Sequence, residues 1–255
     1  MGHYYKQDGE PCYYVEKNGG GLRDTTIRDA RKLNLVPSVT EILKVADKPG
    51  LNKWLIDQHI LSALTVPRDE SLASDELIKL IRKDANEQSK LAREKGSEIH
   101  DALERFFLGN PSTYHFVEYS DIFDAAKQAL LDEFGEQVWI PEKPFASPLG
   151  YGGKCDIHCP IAIIDFKTTD KPLDGLKCWD EHKMQGSAYK HGLSFPDAAT
   201  GNLFISTKNI GEVRLIMHDD TTREWGMFKA LLNYWKLLKG YDGSLDQEFA
   251  ATVSE

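Results

Sequence analysis

Three polar residues, Asp156, Asp165 and Lys167, stand inside an otherwise apolar stretch near the middle of the chain. The surrounding residues predict two short strands joined by a turn centred on Cys159-Pro160. Because side chains alternate along a strand, Asp165 and Lys167 share one face. The opposite face is mostly apolar and consists of Ala162, Ile164, Phe166 and Thr168.

A turn at Cys159-Pro160 would set Asp156 opposite Ile163 and diagonal to Asp165. Diagonal neighbours on paired strands lie about 7–8 Å apart. Two carboxylates at that spacing can hold one divalent cation, and the ammonium of Lys167 would lie alongside. The pattern therefore predicts a binding site for a divalent cation.

The order of these residues, Asp156 followed by Asp165-Phe166-Lys167, resembles the signature of the PD-(D/E)XK nucleases. Gly96-Ser-Glu-Ile-His100 resembles the helix-borne histidine motif of the RecB-like branch, and Gln185-Gly-Ser-Ala-Tyr189 resembles its QxxxY motif. Pro37-Ser-Val-Thr-Glu-Ile-Leu43 is similar to the N-terminal segment of phage exonucleases that resemble the mitochondrial genome maintenance exonuclease. The resemblance covers roughly residues 37–190. It departs from the usual motif at Cys155, where proline would precede the aspartate.

The resemblance implies a restriction-endonuclease-like α/β core, in which helices flank a central mixed β-sheet, with an N-terminal helical elaboration. It also implies a Mg²⁺ or Mn²⁺ cofactor. The expected metal ligands are Asp156, Asp165, the carbonyl of Phe166 and His100.

The remaining expected site residues surround that metal. Lys167 is expected to orient the attacking water, while Gln185 and Tyr189 either contact the substrate phosphate or brace Lys167. Glu104 lies one helical turn after His100 and could fix the imidazole tautomer. Lys154, which shares a face with Asp156, and the hydroxyl of Thr168 are expected to contact phosphates.

Length and composition are those of an ordinary globular protein, with 255 residues, 41% hydrophobic and 28% charged. We expect a single domain, mainly helical over residues 1–135, where the histidine motif lies, and a sheet core with flanking helices over residues 136–255. The pattern from Ser74 to Leu108 predicts two helices that bend near Gly96, and a further helix is expected over about Ser120–Phe134. Gln185 and Tyr189 are four residues apart and are expected to share one face of a helix over about Trp179–His191. No apolar run approaches the roughly 20 residues of a membrane span, and the first residues lack a signal core. These observations predict an intracellular, cytoplasmic protein, and the resemblance implies one that is bacterial or phage-encoded.

The four cysteines are unclustered and suggest a reducing compartment without disulfides. Some RecB-like nucleases carry a four-cysteine iron–sulfur cluster. Cys155 and Cys159 are four residues apart, roughly 13 Å along a regular strand. None of the tight C-x₂-C spacings is present, so we expect no such cluster.

The net charge of −9 disfavours a generic nucleic-acid binder, although phosphate binding depends on the local field. We expect a metal-dependent DNA exonuclease that prefers single-stranded DNA or DNA ends, in replication, recombination or repair. A duplex-resecting exonuclease or a structure-specific endonuclease fits the same motifs. A non-catalytic protein that binds DNA ends in recombination is the alternative from another functional class.

Overall fold

The computed structural model describes residues 3–47, 49–67 and 73–244. The fold is mixed α/β. The strands are β1 (Tyr4–Tyr5), β2 (Tyr14–Glu16), β3 (Leu22–Asp24), β4 (Val36–Pro37), β5 (Ile140–Pro141), β6 (Pro144–Ser147), β7 (Tyr151–Lys154), β8 (Ile157–Cys159), β9 (Ala162–Thr169), β10 (Ala199–Ser206) and β11 (Val213–Met217). The helices are α1 (Ile27–Leu33), α2 (Val39–Leu43), α3 (Pro49–Thr65), α4 (Ser74–Phe107), α5 (Thr113–Phe134), α6 (Asp180–Gly192) and α7 (Thr222–Lys239).

A five-stranded sheet has the order β11-β10-β9-β8-β5. Strands β9 and β10 are parallel, and the other neighbours in this sheet are antiparallel. The parallel pair requires a crossover connection, and α6 lies within it. This arrangement agrees with the predicted mixed sheet flanked by helices.

The chain divides into two compact units, and the single-domain organisation stays a prediction. One unit comprises Met1–Val45 and Ala102–Glu255, and it contains the five-stranded sheet. The other comprises Ala46–Asp101 and is helical, with α3 and the first part of α4.

The core of the sheet-containing unit is built from apolar faces of α2, α6 and α7. Helix α7 buries Phe228, Leu232 and Trp235, whose spacing places them on one side of the helix. These side chains belong to the same cluster as Ile163 of β9 and Ala188 of α6. The cluster therefore fixes α6 relative to the strand that carries the candidate site.

Helix α4 differs from its prediction. The sequence predicted two helices bending near Gly96, whereas a single helix runs from Ser74 to Phe107. A glycine in a helix interior costs only about 1 kcal/mol relative to alanine, so one glycine does not end a helix of this length. Helix α5 also begins earlier than the predicted Ser120, because Ser112 caps it by accepting a hydrogen bond from the His115 backbone N–H at 3.1 Å.

The predicted hairpin is present, but its register was wrong. Cys159 pairs with Ala162 and Ile157 pairs with Ile164, so the turn residues are Pro160 and Ile161. Proline, with its fixed φ, is favoured at the first central position of a turn, which explains the shift by one residue. Extended by one residue, this register sets Asp156 opposite Asp165 and not opposite Ile163.

Within the parts of the chain that the structure describes, no helix combines the length and the apolar character that a membrane crossing requires.

Candidate active site

Strand β9 brings Asp165 and Lys167 together on one face, as the alternation predicted. The Lys167 Nζ lies 2.6 Å from the Asp165 Oδ2. The Asp165 side chain is 8% exposed, whereas 28% of the Lys167 side chain is exposed. The buried carboxylate is therefore paired with a lysine whose side chain is partly accessible.

Asp156 lies at a break between two sheets. Strand β7 pairs with β6 and ends at Lys154, while β8 begins at Ile157 in the five-stranded sheet. The Asp156 Oδ2 accepts a hydrogen bond from the Phe166 backbone N–H at 2.5 Å. Asp156 is therefore fixed to the peptide that lies between Asp165 and Lys167.

Helix α6 contributes the third side of the site. The Lys167 Nζ donates to the Gln185 Oε1 at 3.0 Å, and the Gln185 Nε2 donates to the Tyr189 hydroxyl at 2.8 Å. Gln185 and Tyr189 are four residues apart and share a helix face. Of the two expectations for this pair, the contact that braces Lys167 is present.

The charge of Lys167 depends on its neighbours. Burial lowers the pKa of this ammonium, but the carboxylate of Asp165, with smaller contributions from Asp156 and Glu181, outweighs burial and the net shift of the pKa is upwards. Lys167 is therefore a cation and a hydrogen-bond donor at neutral pH. Burial, reinforced by Asp165, raises the pKa of Tyr189 well above its ordinary value, so its hydroxyl stays protonated.

Three residues that sequence reasoning missed stand behind Asp165. The Asn202 Nδ2 donates to the Asp165 Oδ2 at 3.0 Å. The Asn202 Oδ1 lies 2.8 Å from the His218 Nε2, and the His218 Nδ1 lies 3.0 Å from the Thr200 Oγ1. In the sequence, the signal for these residues was local: Thr200 and Asn202 are polar and directly precede the apolar run that begins at Leu203.

Lys154 and Thr168, the two residues expected to contact phosphates, lie in different surroundings. Lys154 forms an ion pair with Glu142, whose backbone N–H donates to the Asp156 carbonyl at 2.9 Å. Thr168 alternates to the face of β9 that carries Phe166, so it does not share the Lys167 side. The roles of both in phosphate binding stay predictions.

His100 and Glu104 both lie in α4, and both are half-buried. His100 falls within the helical unit, and Glu104 falls within the sheet-containing unit. Their roles as ligand and supporting carboxylate stay predictions.

The oxygen donors near Lys167 suit magnesium, a hard cation. Within residues 3–47, 49–67 and 73–244, no group of three or more His, Cys, Asp or Glu side chains could hold a metal ion. Magnesium usually binds one or two carboxylates and completes its shell with water and substrate phosphates. Asp156 and Asp165 match magnesium in number and chemical type, and the metal cofactor, with the Phe166 carbonyl as a third donor, stays a prediction.

The cysteines near this site are uncharged. All four cysteines of the chain are free. Burial, followed by the neighbouring Asp156 charge, raises the pKa of Cys155 to about 12. Burial also raises the pKa of Cys178 to about 11. Both thiols are therefore protonated at neutral pH.

No family model matches this sequence, and the comparison with curated proteins also found no match. The chain is similar to solved structures that include the crystal structure of SSO0001. That similarity has 16% sequence identity and a TM-score of 0.32, and it covers 73% of this chain and 85% of SSO0001. A TM-score of this size establishes neither a shared fold nor a shared activity.

Proposed function

We propose that the protein is a Mg²⁺- or Mn²⁺-dependent deoxyribonuclease, an exonuclease of the RecB-like PD-(D/E)XK group with a restriction-endonuclease-like core. Its substrate is single-stranded DNA or DNA with free ends. The observation that carries the proposal is the position of Lys167, held between Asp165 and Gln185 beside the fixed carboxylate of Asp156.

In this proposal each side chain has a distinct task. Lys167, charged at neutral pH, donates a hydrogen bond to the attacking water or to an oxygen of the scissile phosphate. As a cationic donor it orients the water and stabilises charge on the phosphate. Gln185 holds the ammonium in that direction, and Tyr189 holds Gln185.

The carboxylates of Asp156 and Asp165, with the Phe166 carbonyl, would hold the metal. When bound, the metal would lower the pKa of a water molecule and neutralise charge on the phosphate. Hydrolysis then joins the water oxygen to phosphorus and breaks one P–O ester bond. The hydrogen bond from the Phe166 N–H keeps Asp156 directed towards this peptide.

The proposal is tested with end-labelled single-stranded DNA and its matched linear duplex, each incubated with the protein in Mg²⁺, Mn²⁺ or EDTA. We expect progressive shortening of the single strand from one end, abolished by EDTA. Asp165→Asn should lose at least about 10²-fold of that activity, because the buried carboxylate at the site is gone. Asp170→Asn, which changes an exposed carboxylate paired with Lys208, is the matched control and should retain activity.

Other outcomes identify the alternatives. Shortening of the duplex alone indicates a resecting exonuclease. A branched duplex, added as a third substrate, tests for a structure-specific endonuclease, which would cut it internally. DNA binding without cleavage in either metal would contradict the proposal and favour an accessory protein that binds DNA ends. Wild-type rates in Asp165→Asn would also contradict it.

A further inference from the structure

We propose that Thr200, His218 and Asn202 form a hydrogen-bond relay that orients the Asp165 carboxylate for metal binding. These three are positioning residues, since they act through Asp165 and do not touch the substrate. The inference rests on the proposed function, because it assigns Asp165 as a metal ligand.

The parallel pairing of β9 and β10 creates the first link of the relay. Asn202 is the register partner of Asp165. Its Nδ2 reaches both the Asp165 Oδ2, at 3.0 Å, and the Asp165 backbone carbonyl, at 3.3 Å. Lys167 also contacts the same Oδ2. Two donors from different strand positions therefore converge on one carboxylate oxygen.

The direction of every hydrogen bond in the relay follows from this first link. Since the Nδ2 end of Asn202 faces a carboxylate, its Oδ1 must accept from the His218 Nε2 at 2.8 Å. The Cys178 thiol donates to the same Oδ1 at 3.5 Å. With Nε2 protonated, the neutral imidazole accepts at Nδ1, and the Thr200 hydroxyl must donate to it at 3.0 Å. One tautomer of His218 thus satisfies both neighbours.

The relay is shielded from water. Asn202 is 1% exposed, Thr200 is 3% exposed and His218 is 9% exposed. Burial lowers the pKa of His218 to about 4, with a smaller contribution from Lys183, so the imidazole stays neutral at pH 7. A neutral ring supplies the one donor and one acceptor that the relay needs.

Helix α6 closes the relay from the other side. A Cβ atom added at Gly186 would lie 3.0 Å from the Thr200 Cβ and 3.4 Å from the His218 Nδ1. Gly186 follows Gln185, which holds Lys167. The same helical turn therefore supports both Lys167 and the residues that orient Asp165.

A purely structural role does not require such a network. Apolar side chains of similar volume can replace paired buried polar groups at little cost in stability. A metal ligand, in contrast, needs a fixed orientation, and hydrogen-bonded partners of ligands typically change metal affinity by about 10–100-fold when they are removed. Metal affinity therefore separates the two roles.

The experiment measures the Kd for Mn²⁺ by titration calorimetry in the absence of DNA, for the wild type and for two His218 variants. His218→Leu removes both links, and we expect Mn²⁺ binding about 10–100-fold weaker. His218→Gln keeps a donor and an acceptor, and most of the affinity should return. Circular dichroism spectra and unfolding midpoints establish that each variant is folded.

Thr200→Val provides a second test in case His218→Leu does not fold. It removes the hydroxyl that fixes the imidazole tautomer, and we expect Mn²⁺ affinity to fall about fivefold. Thr207→Val is the matched control, because its hydroxyl donates to the Thr169 carbonyl at 3.2 Å, outside the relay. Its Mn²⁺ affinity should not change.

Two results would overturn the relay. The first is wild-type Mn²⁺ affinity in folded His218→Leu or in Thr200→Val. The second is weakened Mn²⁺ binding in His218→Leu that His218→Gln does not restore. DNA cleavage by the wild type together with unchanged Mn²⁺ affinity in these variants would overturn the relay alone. Mn²⁺ binding that responds to the variants, with no DNA cleavage, would support the relay and overturn the proposed function.

Discussion

The two faces of β9 differ in the side chains that contact them. On one face, Asp165 and Lys167 contact polar groups from α6 and β10. On the other face, the Phe166 ring is 1% exposed and stacks against Phe107 with a centroid distance of 6.2 Å. One residue step along the strand therefore separates a polar network from apolar packing.

This difference indicates how the strand can carry charge inside a core. The apolar face supplies burial energy, about 25 cal/mol per Å² of apolar surface removed from water. The polar face has every charge directed at a partner, which limits the cost of burying it. Substitutions on the apolar face should thus lower stability, and substitutions on the polar face should lower activity.

Phe166→Ala should give the largest effect, a loss of about 4 kcal/mol in the free energy of unfolding, because it leaves a cavity where the ring packed. Denaturant unfolding measures it. Phe116→Ala is the matched control, since that side chain is 57% exposed, and it should change stability by less than about 1 kcal/mol. Equal losses in the two variants would refute the assignment of the apolar face.

Lys167→Met should reduce the rate of DNA cleavage by about 10²–10³-fold, since it removes the ammonium that Asp165 and Gln185 hold in place. Single-turnover rates in Mg²⁺ measure the effect. The control is Lys171→Met, at an exposed position four residues later, which should cleave at the wild-type rate. A loss below about fivefold in Lys167→Met would show that the polar face is not catalytic.

Acid should destabilise the wild type more than His218→Gln. The unfolded imidazole binds a proton near pH 6.5, whereas the folded pKa is about 4, so the unfolded state binds more protons between these values. Stability from neutral His218 is fully present above pH 6.5 and is lost as the pH falls towards 4. Between pH 7 and pH 5, we expect the wild type to lose about 2 kcal/mol more than the variant.

Urea unfolding at both pH values measures this difference. The other histidines titrate alike in both proteins and therefore cancel. Parallel losses in the wild type and in His218→Gln would contradict the buried, neutral state of His218.

Gln185→Ala should have the smallest effect, about a tenfold loss in cleavage rate, because Lys167 keeps Asp165 but loses a second acceptor. Gln128→Ala is its control. That glutamine donates to Asp132 at 2.6 Å on the exposed side of α5, so its loss should leave the rate unchanged. If Gln185→Ala cleaved DNA at the same rate as the control, Gln185 of α6 would not contribute to the active site.

Local patterns predicted the parts of the site that lie within one hairpin and one helix. Strand alternation predicted that Asp165 and Lys167 share one face of a strand, and helical spacing predicted that Gln185 and Tyr189 share one face of a helix. The hairpin register was predicted one residue out, because the turn was centred on Cys159-Pro160, whereas proline favours the first central position of a turn and the turn residues are Pro160 and Ile161. The continuity of α4 past Gly96 was missed, because propensity at a single glycine is a weak signal.

The sequence by itself determined the mixed α/β character, the strand that carries Asp165 and Lys167, and the helix that carries Gln185. Only the tertiary structure decided that Asn202 is the register partner of Asp165, that His218 stands behind Asn202, and that Gln185 reaches Lys167. The physical reason is that a parallel pair joins strands separated by a long crossover, so its register depends on packing of the intervening helix. Residues 165 and 202 share no local pattern that could reveal this pairing.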